Sequence, residues 1–226
     1  MTVFAMLLFG SHARGDQDLR SDTDLLLITE DDGPRHVLQG HLSTSIYPLG
    51  DLQLRAQNGD LFVCHIIREA KPIYDPLEQL ALLRSQFRIR SSYESEVQKA
   101  TDLGWFLIDH GQNQRIAPLI NRRVAWCVRT ILISRSAEAG EPVFSASELA
   151  AFARSNAVMT MIKHKDAEHL DEEVVELLRG FLVKFGGLRL GDGRSSYGAY
   201  LKQFMVTSNN IALAFVKADA VVGIPY

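Results

Sequence analysis

The chain is poor in the features that mark special classes of protein. Its 226 residues include two cysteines, Cys64 and Cys127, far apart and each inside an apolar stretch. That excludes a disulfide framework and a CxxC metal site, and leaves two buried, reduced thiols as the expectation. Long hydrophobic runs are also missing. The apolar N-terminal segment, Val3 to Phe9, is too short to span a bilayer and has no basic segment before it. A cytoplasmic location and no membrane partner are expected. Charge of one sign is not in excess: the formal net charge is −3, so charge as a whole does not drive binding to nucleic acid or membranes, although a local basic patch stays open. No internal repeat or low-complexity tract occurs.

What is present is ample apolar sequence, 46% of residues, enough to build the core of one or two domains. The pattern changes near residue 76. Before it, short apolar runs alternate with turn signals. Val3 to Phe9 and Leu25 to Ile28 read as strands covered on both faces, the second closed by the turn residues Thr29 to Pro34. Leu42 to Tyr47 alternates and predicts a third strand nearer the sheet edge. Asp51 to Gln57 and Asp60 to Ala70 predict helices, with Asp60 as an N-cap. Pro72 to Pro76 returns the chain and closes the unit.

After residue 76 the periodicity is helical. Leu77 to about residue 110 reads as one long segment punctuated by Gly104, and Ile116 to Ala137 as a second helix. Ser145 and Glu148 form a capping box for the next helix, which carries Leu149 and Phe152 and then Val158 to Ile162. Asp171 to Phe185 is the clearest amphipathic helix, with Val174, Leu177, Leu178, Phe181 and Leu182 inward. Leu188 to Tyr226 gives no definite pattern. An α/β domain over residues 1–76 followed by an all-helical domain over 77–226 is the predicted organisation.

One constellation carries chemistry. A strand ends at Phe9 in Gly10-Ser11, a polar loop follows, and a second strand opens with Asp22-Thr23-Asp24. Residues i and i+2 of a strand point to one side, so Asp22 and Asp24 present two carboxylates together. Two such anions repel. A hard divalent cation resolves the conflict, and Mg²⁺ prefers one or two carboxylates plus substrate phosphates. Gly10 lets backbone approach a phosphate closely, and its N–H and the Ser11 hydroxyl can donate to phosphate oxygens. Arg14 is either a further phosphate donor or a solvated loop residue.

At these residues the chain resembles the DNA polymerase β-type nucleotidyltransferase superfamily, with its Gly-Ser, short loop and Asp-x-Asp signature. The likeness is greatest to the minimal nucleotidyltransferases and the aminoglycoside adenylyltransferases. Leu8 to Gly15 and Ser21 to Leu27 match their recurring segments, and Arg68 to Asp75 is similar to the segment closing their catalytic unit. The resemblance implies an α/β (α+β) palm with a mixed sheet, followed by the helical domain. It implies two Mg²⁺ ions held by Asp22 and Asp24, phosphates gripped by Gly10 and Ser11, and transfer of a nucleoside monophosphate, AMP from ATP, to a hydroxyl. The acceptor is a protein or tRNA in a toxin–antitoxin or defence module, or a small molecule. A basic face for RNA would draw on Arg84, Arg88, Arg90, Arg122, Arg123 and Arg129.

Two departures stand out. A third carboxylate of the family is expected on the strand Leu42 to Leu49, where Ser45 stands, with Asp51 just beyond it as a substitute. The chain also starts directly on the first strand. The first departure opens a reading from another class, a regulatory subunit that binds nucleotide or a partner protein without turnover. His65 and Glu69, at helical i, i+4 spacing, are read as a structural hydrogen bond with an acid–base pair as the alternative. Lys163, His164, Lys165 and His169 are read as a solvated helix end, with Lys163 or Lys165 reaching the triphosphate as the alternative. Trp105, Phe106 and Trp126 are read as core.

Overall fold

The computed structural model describes residues 2–19, 21–30, 33–111 and 117–222. The turn residues Asp31 and Asp32, and the expected helix start at Ile116, lie outside these. The fold is α+β, and the chain divides into two compact units, residues 1–91 and 92–226.

The first unit is built on a five-stranded mixed sheet of order β3-β4-β2-β1-β5. Its strands are β1 (Val3–Phe9), β2 (Thr23–Thr29), β3 (Arg35–Gln39), β4 (Leu42–Pro48) and β5 (Lys71–Tyr74), and its helices α1 (Gly10–Arg14), α2 (Leu49–Gln57), α3 (Leu61–Glu69) and α4 (Gln79–Gln86). β2 runs antiparallel to β1 and parallel to β4. The expectation of a mixed sheet therefore holds, but β1 and β2 are not equally buried on both faces. Ala5, Leu7 and Phe9 of β1 and Leu26 and Ile28 of β2 are buried with Leu52, Val63 and Ile66 in one core. Leu25 and Leu27, pointing the other way, are only partly buried. Each fully buried aliphatic side chain contributes about 2 kcal/mol.

Asp60 caps α3 as its sequence position suggests, its carboxylate accepting from the Val63 amide at 3.1 Å. Two of the five strands have no counterpart among the sequence expectations: β5, which lies in the segment that returns the chain, and β3. It forms a hairpin with β4 through the two-residue turn Gly40-His41, with Gln39 opposite Leu42, and all five of its residues are exposed. The Gly-containing pair between two β-rich runs was the available signal.

The expected division at residue 76 moves to 91. Leu80 and Leu83 of α4 belong to the core of the first unit, and Asp75 caps α4 by accepting from the amides of Gln79 and Leu80 at 2.7 and 3.0 Å. The long helix expected after Leu77 is thus two helices. Phe87 takes an extended backbone, and helix α5 (Glu94–His110) restarts beyond it and runs straight through Gly104.

The second unit has only helices as regular secondary structure among its described residues. It contains α5, α6 (Ala117–Glu138), α7 (Ala146–Ala153), α8 (Asn156–Lys163), α9 (Glu172–Phe185), α10 (Tyr197–Val206) and α11 (Asn210–Val222), with a short 3₁₀ turn at His164–Asp166. The capping box of α7 forms reciprocally between Ser145 and Glu148. Arg154, at φ 50°, ends α7 and separates it from α8, and Phe152 is exposed. On α9, Val174, Leu178, Phe181 and Leu182 are buried and Leu177 partly so. The undecided C-terminal stretch contains α10 and α11, whose Tyr200, Phe204, Ala212 and Phe215 join the same core as Trp105 and Phe106, against which Trp126 packs. None of the described helices is long and apolar enough to cross a membrane.

Both cysteines are free and buried, one in each unit. Burial pushes the Cys64 thiol up to about 11 and raises that of Cys127 further. In native protein at pH 8 both should react with a thiol-specific disulfide reagent at least about a hundredfold more slowly than in denaturant. Rapid native labelling of either would contradict this packing.

Candidate functional site

Two-residue alternation places Asp22, Asp24, Leu26 and Ile28 on one face of the β2 segment. The aliphatic end is fully buried, while Asp22 and Asp24 are only partly so. The same sequence that anchors the strand therefore delivers two carboxylates to its open end. Next to them, β1 ends at Phe9, whose Cα pairs with that of Asp24. The chain turns at Gly10 with φ +71°, and a Cβ added there would stand 2.6 Å from Asp24 Oδ2. A side chain there would push the Asp24 carboxylate aside, and glycine adopts that backbone without strain. The two halves of the sequence motif are thus in direct contact.

Ser11 follows in the single turn of α1, and its carbonyl accepts from the amides of Gly15 and Asp16 at 2.8 and 3.1 Å. The loop returns through His12, whose Nε2 lies 3.4 Å from the Ser21 carbonyl oxygen. At the start of β2 the Thr23 amide donates to the His41 carbonyl at 2.7 Å. The His41 ring nitrogen Nδ1 lies 3.5 Å from Asp22 Oδ1. His41 belongs to the hairpin turn absent from the sequence reading, so its place beside Asp22 emerges only from strand pairing.

The register of β4 decides the third-acid question. Ser43 is opposite Asp24, and Ser45 is opposite Leu26. The Ser43 hydroxyl lies 3.0 Å from His36 Nε2 of β3. Asp51 cannot substitute. Because β2 and β4 are parallel, the chain travels roughly 17 Å from Ser43 to Pro48, at about 3.3 Å per residue, before reaching the helix that carries Asp51. That carboxylate stands exposed in the first turn of α2, at the opposite end of the sheet. Among the described residues no three His, Cys, Asp or Glu side chains converge to hold a metal ion. Two carboxylates at one strand end, Asp24 beside the Gly10 turn and Asp22 two residues before it, still fit Mg²⁺ when substrate phosphates complete its shell.

Behind the turn lies a second polar group. Glu69 Oε2 on α3 accepts from His65 Nε2 at 2.7 Å and from Arg14 Nη1. The Arg14 Nε also donates to both Asp16 oxygens at 3.1 Å. Arg14 is therefore held by two carboxylates rather than standing as a solvated loop residue, and the His65–Glu69 hydrogen bond is formed as expected. Burial pushes the Glu69 carboxyl up, but the hydrogen bond and charge of His65 and those of Arg14 outweigh it and hold the group below its ordinary value of 4.5. A carboxyl with a depressed folded pKa contributes stability above its unfolded pKa and loses it as pH falls through the folded one. The stability gap between wild type and Glu69→Gln in urea titrations should be widest at neutral pH and shrink below pH 4.5. A gap independent of pH would show that the carboxylate charge contributes nothing.

Lys165 of the second unit is paired with Asp166 at 3.7 Å, and Arg122 with Asp166 at 3.5 Å. A cleft of about 510 Å³ lined by Ala150, Arg154, Asn156 and Met159, and one of about 400 Å³ lined by Pro72, Asp75 and Arg84, include none of Gly10, Ser11, Asp22 or Asp24.

No family model matches the chain, and no curated protein matches it. Among solved structures the chain is similar to a nucleotidyltransferase-like protein from Exiguobacterium sibiricum 255-15. The two are 15% identical, with a TM-score of 0.34 over 96% of this chain and 86% of that one. A superposition that loose decides neither fold nor chemistry, and the functional reading rests on the residues themselves.

Proposed function

We propose that the chain is a nucleotidyltransferase that moves a nucleoside monophosphate, AMP from ATP, onto a hydroxyl of a macromolecular acceptor. One observation carries the reading: the Gly10 turn packs directly against the Asp24 carboxylate, so that a Cβ added at Gly10 would stand 2.6 Å from its Oδ2. A phosphate-gripping turn and a metal-binding carboxylate need that proximity, because the triphosphate and its counter-ion share oxygen atoms. Asp22 and Asp24 would hold Mg²⁺, one ion or two, with substrate phosphates and water supplying the remaining ligands. Bound there, Mg²⁺ would neutralise the triphosphate and the charge that develops on it. The Gly10 N–H and the Ser11 hydroxyl donate to phosphate oxygens and hold the chain of phosphates in line. The acceptor hydroxyl forms its bond to the α-phosphorus as the bond to the pyrophosphate oxygen breaks, and its proton passes to water. Catalysis of this kind is positioning and electrostatics.

The acceptor proton has no third carboxylate waiting for it on β4, where Ser43 and Ser45 stand. That supports a second reading, a nucleotide-binding regulatory subunit with little turnover. Labelled ATP with Mg²⁺, incubated with proteins, tRNA and small hydroxyl compounds, tests both. Covalent label on an acceptor with release of pyrophosphate is the expected result. Calorimetric binding of ATP with no transfer to any acceptor would replace the first reading by the second, and no binding at all would end both.

A further inference from the structure

We infer that α3 is a clamp on the phosphate-gripping turn, with His65 and Glu69 acting as positioning residues for nucleotide binding. This deepens the reading above and rests on it.

Gly10 to Arg14 is a single helical turn, far too short to hold its own shape, since an isolated turn has not repaid the cost of its nucleation. Something outside it must define where the Gly10 amide and Ser11 hydroxyl point. Both ends of the turn are held by one face of α3. Before the turn, the Phe9 ring meets the His65 ring edge-on, with centroids 5.6 Å apart and planes at 89°, and meets Phe62 at 5.8 Å and 86°. After the turn, Arg14 is ion-paired to Glu69, whose side chain is only 10% exposed. His65 and Glu69 are one helical turn apart and bonded to each other at 2.7 Å. A single i, i+4 pair therefore grips the residue immediately before Gly10 and the residue that ends α1. The arrangement also explains why Arg14 is spent on a carboxylate rather than left for phosphate: with Asp16 and Glu69 beside it, its work is to hold the turn.

Glu69→Gln removes the charge that holds Arg14 while keeping the shape. Calorimetry with ATP and Mg²⁺, done well below the unfolding temperature, is expected to show about tenfold weaker binding, the loss of one charge-assisted bond's worth of order. Arg14→Ala should match it, and Arg14→Lys, which keeps the charge but not the fork between Asp16 and Glu69, should fall between Arg14→Ala and wild type. Hydrogen exchange in the nucleotide-free protein gives a second readout. The Gly15 and Asp16 amides, both donated to the Ser11 carbonyl, should exchange faster in Glu69→Gln, while amides of β1 such as Leu7 stay unchanged. A merely structural role would lower the melting temperature without weakening ATP binding to folded protein. ATP affinity equal to wild type in both Glu69→Gln and Arg14→Ala overturns the clamp and leaves the proposed function standing. Wild-type protein that binds no ATP overturns the function and the positioning role together. If Glu69→Gln does not fold, the Arg14 pair of variants decides alone.

Discussion

Replacement of Asp24 by asparagine should leave a folded protein with no measurable nucleotidyl transfer. Its backbone lies between Phe9 of β1 and Ser43 of β4, and asparagine fills the same volume, so the sheet has no reason to change. What disappears is one of two carboxylates available to a divalent cation. Losing several kcal/mol of charge stabilisation corresponds to a fall of about 10³-fold or more. Asp22→Ala should behave in the same way, because both carboxylates serve the same metal site and, among the described residues, no group of three His, Cys, Asp or Glu side chains converges to hold a metal ion. The measurement is transfer of labelled AMP, with thermal melting to show that each variant is folded. Transfer within tenfold of wild type in both variants would remove the mechanism.

The second large effect belongs to Gly10→Ala. Two penalties coincide there. The backbone sits at φ +71°, which costs an alanine about 1–2 kcal/mol, and the new Cβ would stand 2.6 Å from Asp24 Oδ2. The carboxylate must move by the better part of an ångström, and a misplacement of about that size costs roughly 10²-fold in rate. Stability should fall only by the backbone term, a few degrees in melting temperature for a chain of this length. Gly15→Ala separates the two penalties. Gly15 also has a positive φ, +85°, but an added Cβ meets nothing within 4 Å. It should lose similar stability and keep its transfer rate. Equal loss of transfer in both variants would mean that backbone strain, not the collision with Asp24, controls the site.

Much of this site was legible in the linear chain because its signals are local. Gly-Ser after an apolar run and Asp-x-Asp before another report a strand end and a strand start, and a period of two puts the carboxylates side by side. The cap at Asp60, the capping box at Ser145 and the apolar stripe of α9 are likewise written within a few residues of where they act. The hairpin of Arg35 to Pro48 was not legible as such, because β3 is exposed along its whole length and has no buried face to give it alternation. The boundary near residue 76 was drawn too early for a related reason. Periodicity marks α4 as a helix but cannot say that Leu80 and Leu83 pack under the sheet of the first unit.

Only the tertiary structure decided three things. The parallel pairing of β2 with β4 sets Ser43 opposite Asp24 and carries Asp51 to the far end of the sheet. Glu69 gathers both its neighbour His65 and the distant Arg14, a choice of partner that a charged residue's sequence context does not encode. Gly10 meets Asp24 across two strands, turning two common short motifs into one contact. By itself the sequence determined which chemical groups stand at the strand ends, since alternation and turn propensity act over a few residues. Which of those groups touch was left to strand register and long-range packing, whose energies depend on residues far apart along the chain.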